Sequence, residues 1–459
     1  MPRIALLPWG DMVEDFLDPL GIGIEGLRDE MTGGWMFGFV EALARAGVDT
    51  ALVVVSRSVR ETTRWRHRPT GAPLIVLPVP RIYAAMRRTV ADPYGWTLDD
   101  SARVATGRGR LEAQLGRQFA PYLATPLRAL GHELRRLRVA AVLCQEYEYQ
   151  RFDACVGLGR LLRVPVVGVF QGGDAPRTGL ERLVRPITTR SAHALVVGPA
   201  GEADRVRTRY GIAGNRIARI PNPLDVEGWG GGRQPGVRGE LGLPEDAVVV
   251  AWHGRVELHR KGLDLLLGAW AELMARQGPL RCLLLVGTGR DADALRWWIG
   301  EQQLPGIVWL DEYVLDKRRV AAYLSAADIY AFPSRHEGFP VAPIEAMAAG
   351  LPIVATGAPG VAEIAPDGEG SGAVVVPRDD AAAFGAALAE LIEDPARRAA
   401  LGRRARQRAA EGFSLEAVGR QLRSVLLGTG TSSSHRWGGR NTPPSDEVPS
   451  TRTGYTCQW

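Results

Sequence analysis

The chain alternates short apolar runs with longer amphipathic stretches over most of its length. Residues 4–7, 50–55, 74–79, 140–144, 165–170 and 194–197 are brief and rich in Val, Ile or Leu. Amphipathic stretches such as 35–46 and 127–137 lie between them. Short apolar runs alternating with helical periodicity predict parallel strands joined by crossover helices. A Gly-rich passage at 226–240 reads as a linker, and a second alternation follows it. Strands are predicted there over 247–252, 281–286, 307–310, 329–332, 352–355 and 373–376. Helices are predicted over 263–275, 291–301, 317–325, 343–349 and 381–391. A chain of 459 residues exceeds what one hydrophobic core holds. The predicted architecture is therefore α/β, with two Rossmann-like doubly wound domains facing one another across a cleft. The boundaries read as 1–224, a linker at 225–244, a second domain at 245–412, a final helix at 413–428 and a tail at 429–459. The tail is polar, Gly/Ser/Pro/Thr-rich and aperiodic, the signature of disorder.

Hydrophobic content of 46% and charged content of 23% are ordinary for a globular protein. No apolar run reaches the roughly 18 residues that a membrane-spanning helix needs. The first apolar run is broken by Pro8, too early for a secretory leader, so a cytoplasmic location is expected. Cys144, Cys155, Cys282 and Cys457 are scattered without metal-type spacing, which argues against a zinc site or a disulfide framework. The formal charge of +5 invites a nucleic-acid reading. That reading fails because the basic residues are interleaved with acids and form no stripe with regularly placed aromatics. One Arg-rich run holds Arg103, Arg108, Arg110, Arg117, Arg128, Arg135, Arg136 and Arg138. Its ordinary reading is a solvated helix face; the alternative is peripheral contact with an anionic membrane surface or an acidic acceptor. Lys261 and Lys317 are the only lysines in the chain. Lys is a compact point charge suited to a phosphate oxygen, whereas Arg is a planar fork, so Lys261 draws scrutiny.

Two segments carry chemistry. The first, residues 252–264, leaves a predicted strand and enters a helix, with Gly254, Arg255, Lys261 and Gly262 along one loop. Two cations around a strand-end loop can neutralise a diphosphate; the bland reading is a solvated loop. The second, residues 332–352, contains EGFPVAPIEAMAAGLP, in which a Gly-containing loop leads into a short helix. Free N–H groups at a helix entrance attract phosphate oxygens, which singles out Val341 and Ala342. Glu337 and Glu345 flank that entrance. A carboxylate beside a phosphate is repulsive unless it faces hydroxyl groups, so sugar and ribose are its natural partners. Glu345 also fits the plainer role of complementing a helix dipole.

Together the segments resemble glycosyltransferase family 4, the retaining enzymes of the GT-B fold. The matching residues are Gly254-Arg255, Lys261-Gly262, the Glu337/Glu345 pair, VGTG at 286–289, Ala327-Asp328 and GVAEI at 360–364. The resemblance is specific over about residues 245–425 and weak before that. It implies that Arg255 and Lys261 hold the donor diphosphate, that Glu345 bonds the ribose hydroxyls and that Glu337 touches the transferred sugar. It implies that Gly33-Gly34 form the donor loop ahead of the first long helix, with Gly34 at the donor. It further implies a last helix that packs back on the first domain, no divalent metal, and no cofactor beyond the nucleotide-sugar co-substrate.

Two departures stand out. Pro340 follows Glu337-Gly338-Phe339 and offers no backbone donor. Gln171 stands where family members often carry His, and it can orient a hydroxyl without acting as a base. Glu146, Gln171 and Asp174 follow predicted first-domain strands and are the acceptor-side candidates. The acceptor is a hydroxyl compound: small molecule, glycan or lipid-linked. Other readings of the same residues are a phosphorylase or nucleotide-sugar epimerase of this fold, and a non-catalytic nucleotide-sugar-binding protein.

Overall fold

The structure, a computed structural model, describes residues 1–8, 10–32, 35–87, 119–171, 179–230 and 232–428. The first sheet contains β1 (Arg3–Leu7), β2 (Asp49–Ser56), β3 (Thr63–Arg66), β4 (Pro73–Pro78), β5 (Ala141–Gln145), β6 (Val166–Val169), β7 (Ala194–Val196) and β8 (Ile217–Ala218). Their order is β3-β4-β2-β1-β5-β6-β7-β8, all neighbours parallel except β3 against β4. The second sheet contains β9 (Val248–His253), β10 (Arg281–Val286), β11 (Ile307–Leu310), β12 (Ile329–Phe332), β13 (Ile353–Thr356) and β14 (Ala373–Val376). It runs β11-β10-β9-β12-β13-β14 and is wholly parallel.

The central strands are unbroken apolar runs because helices cover both faces of each sheet, leaving no solvent side to alternate with. β2 is buried along seven consecutive positions, and β10 along its full length. β3 and β8 escape the sequence reading for physical reasons. β3 is a four-residue edge strand with alternating exposure and two arginines, and β8 has only two residues. The helix Pro395–Phe413 was also missed: its nineteen residues carry six arginines, so charge masks the narrow apolar stripe of Leu401, Ala405, Ala409 and Phe413. Cys144, Cys155 and Cys282 are buried free thiols. The 226–240 stretch is no free connector, since Val226, Trp229 and Val237 are buried. Arg238, 1% exposed, donates to the carbonyls of Ala326, Glu245 and Ala247 and to Asp328.

The polypeptide passes between the two sheets near Leu224 and again near Ser414. These passages touch: the Leu224 N–H donates to the Phe413 carbonyl at 2.8 Å, and Leu224 bridges Ser414. After Ser414, whose backbone is extended and whose hydroxyl accepts from the Ala417 N–H, the helix Leu415–Leu427 begins. It buries Val418, Leu422 and Leu426 in the first-sheet core beside Val40 and Leu43 of the helix Trp35–Arg45. Arg423 donates to the Ala46 carbonyl at 2.7 Å.

Gly419 lets these two helices meet: a Cβ there would lie 2.1 Å from the Ala42 carbonyl oxygen and 3.3 Å from the Ala46 Cβ. Gly419→Ala should therefore lower stability by about 2 kcal/mol, as overpacking does, although helix propensity alone favours Ala by about 1 kcal/mol. Chemical denaturation measures the balance. A variant as stable as the parent would show that the helices do not approach this closely.

Candidate active site

In each sheet the chain starts in the middle, builds outward to one side, and then crosses to the other. In the second sheet that reversal falls between β9 and β12, which are direct neighbours. The loops leaving the carboxyl ends of two such strands splay to opposite faces and open a crevice, the usual ligand position in a doubly wound sheet. The two chemistry-bearing segments are these two loops: residues 254–262 after β9 and 333–341 after β12.

The loops are locked together through their backbones. The Arg335 N–H donates to the Arg260 carbonyl at 3.0 Å. Gly262 has φ 66°, and a Cβ there would stand 2.0 Å from the Pro333 carbonyl oxygen. Only glycine fits. On the other flank, the 286–289 turn lies so close that a Cβ on Gly287 would be 1.9 Å from the Gly254 carbonyl. Arg335 adds a fork onto Asp264 at 2.6 and 2.9 Å, tying the β12 loop to the helix Leu263–Met274.

That geometry brings Lys261 onto Glu337. The ammonium donates to both carboxylate oxygens, at 2.8 and 2.9 Å, and the Ser334 hydroxyl donates to Oε1 at 2.7 Å. The Glu337 side chain is 8% exposed. Three hydrogen bonds from these two groups fix the carboxylate and the ammonium together, and the ammonium keeps a third N–H for another anion. Arg255 behaves differently. Its side chain is 62% exposed, with Glu257 3.5 Å away as its counterion, so it is a loosely held cation at the mouth.

Glu345 lies in the first turn of the helix Ala342–Ala348, and its Oε2 accepts from His253 Nε2 at 2.8 Å. The His253 ring meets Tyr330 edge-on, with centroids 5.4 Å apart, and the Tyr330 hydroxyl donates to the His253 carbonyl. Burial pushes the Tyr330 phenol well above its ordinary pKa, and the carboxylates of Glu345 and Glu337 add to that. Burial likewise raises Tyr313, with Arg255 opposing and Glu345 reinforcing. At the helix entrance, Ile344 and Glu345 donate to the Val341 carbonyl. The amides of Val341 and Ala342 find no acceptor among the described residues. Thus the loops after β9 and β12 pair Lys261 with Glu337 and His253 with Glu345, Glu337 and Glu345 both act on Tyr330, and Arg255 and Glu345 both act on Tyr313. Gly254, Val341 and Ala342 lie on the same two loops and the helix entrance that follows them.

The remaining sequence candidates fall elsewhere. Gly34 and Asp174 lie outside the described residues, as do Arg103, Arg108, Arg110, Arg117 and the 429–459 tail. Glu146 is sealed at 1% exposure and accepts the amide of Gln171. The Gln171 side chain donates to Asn222 at 3.2 Å, and Asn222 reaches the Phe339 carbonyl at 3.4 Å. This chain of amides joins the first lobe to the EGFP loop, a role the sequence gave no sign of. Glu363 of GVAEI also points across the cleft: it accepts from the Ala200 N–H at 2.6 Å and from Arg219 at 3.3 Å. Lys317, the second lysine, pairs with Glu41 of the first lobe at 2.9 and 3.0 Å. Ser334 and His253 were missed as partners of the paired acids. A hydroxyl three residues before Glu337 was a readable signal for Ser334, but nothing local announced the contact between His253 and Glu345, ninety-two residues apart.

Comparison with known proteins is consistent with this geometry. Residues 247–394 match the family described as glycosyl transferases group 1. A D-inositol 3-phosphate glycosyltransferase of Catenulispora acidiphila is 34% identical over 337 residues, covering 68% of this chain and 78% of the relative. The chain belongs to glycosyltransferase family 4. Another family 4 relative, a D-inositol 3-phosphate glycosyltransferase of Kineococcus radiotolerans, is 31% identical over 258 residues. That match covers 52% of this chain and 58% of the relative, so the chain spans little more than half that protein's length. Among solved structures, HepE of Anabaena in complex with UDP superposes with a TM-score of 0.65 at 15% identity, covering 93% of this chain and all of that one. Sucrose-phosphate synthase of Thermosynechococcus elongatus gives 0.63 at 21% identity, covering 92% and 97%. The fold of this family 4 chain is thus the two-lobed GT-B arrangement.

A double-mutant cycle tests the central pair. Lys261→Met and Glu337→Gln should each destabilise the fold by about 2 kcal/mol, because each leaves a charge short of its partner. The double variant should cost clearly less than the sum. Additive losses in urea denaturation would show the two groups to be uncoupled.

Proposed function

We propose that this protein is a retaining glycosyltransferase that moves a sugar from a nucleotide-diphosphate donor, a UDP-, GDP- or ADP-sugar, to a hydroxyl acceptor. The observation that supports this reading is that the two loops at the switch point of the second sheet carry Lys261 paired with Glu337 and His253 paired with Glu345, beside an exposed Arg255 and a helix entrance. A pyrophosphate fits the cations, and the flanking sugar and ribose fit the acids. The phosphorylase, epimerase and binding-only readings have no feature here that favours them over transfer.

In the reaction, the bond from the sugar's anomeric carbon to the β-phosphate oxygen breaks, and its electron pair leaves with the nucleotide diphosphate. Charge therefore grows on that phosphate in the transition state. Lys261, already fixed by Glu337, which Ser334 holds in turn, meets it with little reorganisation, and preorganised charge of this kind is the strongest lever on such a barrier. Arg255, the loose cation, folds onto the diphosphate as a two-pronged donor. The acceptor oxygen bonds the anomeric carbon on the face the leaving group vacates, and its proton passes to the departing phosphate oxygen. Such a transfer needs no dedicated base, in keeping with Gln171, an acceptor-side candidate that cannot act as one. Glu337 touches the transferred sugar from its place beside Lys261, and Glu345 reads the ribose. The two cations would neutralise the diphosphate in place of a divalent metal.

A thermal-shift screen against UDP, GDP, ADP and their sugars should identify one nucleotide by raised apparent stability. With that donor, Lys261→Ala should lower kcat by roughly a hundredfold or more, EDTA should leave the rate unchanged, and the product should keep the donor's anomeric configuration. D-inositol 3-phosphate, named in the relatives' activity, is the first acceptor to assay. No shift with any nucleotide would overturn the assignment.

No helix among the described residues is long and apolar enough to cross a membrane. Peripheral contact rests on the first lobe. Exposed Ile82, Phe119, Leu123, Leu183 and Ile187 lie on segments that also expose Arg81, Arg128 and Arg182 but no acid. Tyr122 and Arg185 both bond Asp153, which joins two of these segments. On the 127–137 helix, Arg136 is instead paired with Glu133. The protein should co-sediment with anionic phosphatidylglycerol vesicles and not with phosphatidylcholine ones, and Leu183→Asp with Ile187→Asp should weaken it several-fold. Equal recovery with both vesicles would refute the contact.

A further inference from the structure

We infer that His253 is a positioning residue for Glu345, and that the pair makes the nucleotide site selective for an intact ribose. This rests on the donor-site reading above and deepens it.

The geometry restricts the pair to one arrangement. Glu345 is an acceptor when ionised, so the 2.8 Å contact requires His253 Nε2 to carry the proton. The imidazole cannot turn away easily. Its side chain is 10% exposed, its ring meets Tyr330 edge-on, and its own carbonyl is held by the Tyr330 hydroxyl. Its other nitrogen, Nδ1, is buried without a partner. A buried nitrogen left unpaired is costly, so the orientation is set by what Nε2 gains from the carboxylate. Glu345 is thereby clamped at one oxygen. Its Oε2 is occupied, and Oε1 is left for a ligand, on a side chain still 20% exposed.

A carboxylate fixed in this way differs from a freely rotating one. With rotamer freedom already lost, its single open oxygen presents one acceptor in one direction. A ribose hydroxyl supplies the matching donor. A deoxyribose does not, and it leaves the charged oxygen facing carbon without a donor, the situation in which discrimination is largest. His253 touches no ligand in this scheme; it acts through Glu345. No local sequence pattern marks it, because β9 and the helix Ala342–Ala348 meet only in the folded sheet.

The test is isothermal titration of the full chain with UDP, GDP and ADP and with their 2′-deoxy and 3′-deoxy forms. The parent should prefer the ribonucleotide over one deoxy form by roughly tenfold or more, the scale of one hydrogen bond to a charged group. His253→Leu, which keeps an apolar packing partner for Tyr330, should weaken ribonucleotide binding by about tenfold and leave deoxynucleotide binding within about twofold, so that the preference collapses. His253→Gln, whose amide N–H₂ can still reach Glu345, should restore it. In turnover, His253→Leu should raise the donor KM with kcat nearly constant. Equal weakening of ribo- and deoxynucleotides by His253→Leu, or no weakening while Glu345→Ala abolishes binding, would overturn the role of His253. If Glu345→Ala itself leaves nucleotide affinity unchanged, the donor-site reading beneath it fails instead.

Discussion

The contact on which the site depends is the backbone approach of two loops at the middle of the second sheet. β9 and β12 are neighbours, and their exit loops meet, the Arg335 N–H on the Arg260 carbonyl at 3.0 Å. Gly262 makes that passage possible by placing no side chain against the Pro333 carbonyl. Everything chemical follows from that closeness. Lys261 precedes this glycine and Glu337 lies four residues beyond Pro333, so the ion pair is a consequence of the crossing. The fixed ammonium is then available without any later rearrangement.

Charge is used in two distinct ways across the molecule. Most buried arginines satisfy carbonyls or carboxylates of their own lobe. Arg238 collects the carbonyls at the start of β9, Arg335 anchors a loop to Asp264, and Arg185 holds Asp153 and Glu148. The planar fork suits such multiple contacts. The two lysines stand apart from this. Lys261 lies in the crevice, and Lys317 reaches Glu41 across the cleft.

The two lobes meet around a double passage of the chain, through polar contacts and through Tyr313 and Leu315, which pack on the first-sheet core, and Phe339 against Gly198. Leu224 and Ser414 lie side by side. Away from it, Lys317 donates to both Glu41 oxygens, Glu363 accepts from Ala200 and Arg219, and Gln171–Asn222–Phe339 links the lobes, while the packed helix Leu415–Leu427 fastens the end of the chain to the first sheet.

Local pattern was enough to determine the alternation of strand and helix, the two-sheet architecture and the loops that carry the motif residues, because parallel strands buried on both faces must be written as continuous apolar runs. It was also enough to single out Lys261, Glu337 and Glu345 by residue type and spacing. Short or charged elements such as β3, β8 and the helix Pro395–Phe413 were not legible, since their burial comes from neighbours rather than from their own composition. Pairings between distant residues were likewise decided only by the fold. Lys261 with Glu337, His253 with Glu345, and Glu363 with the first lobe depend on strand order, and strand order is set by how whole sheets pack rather than by any segment of the chain.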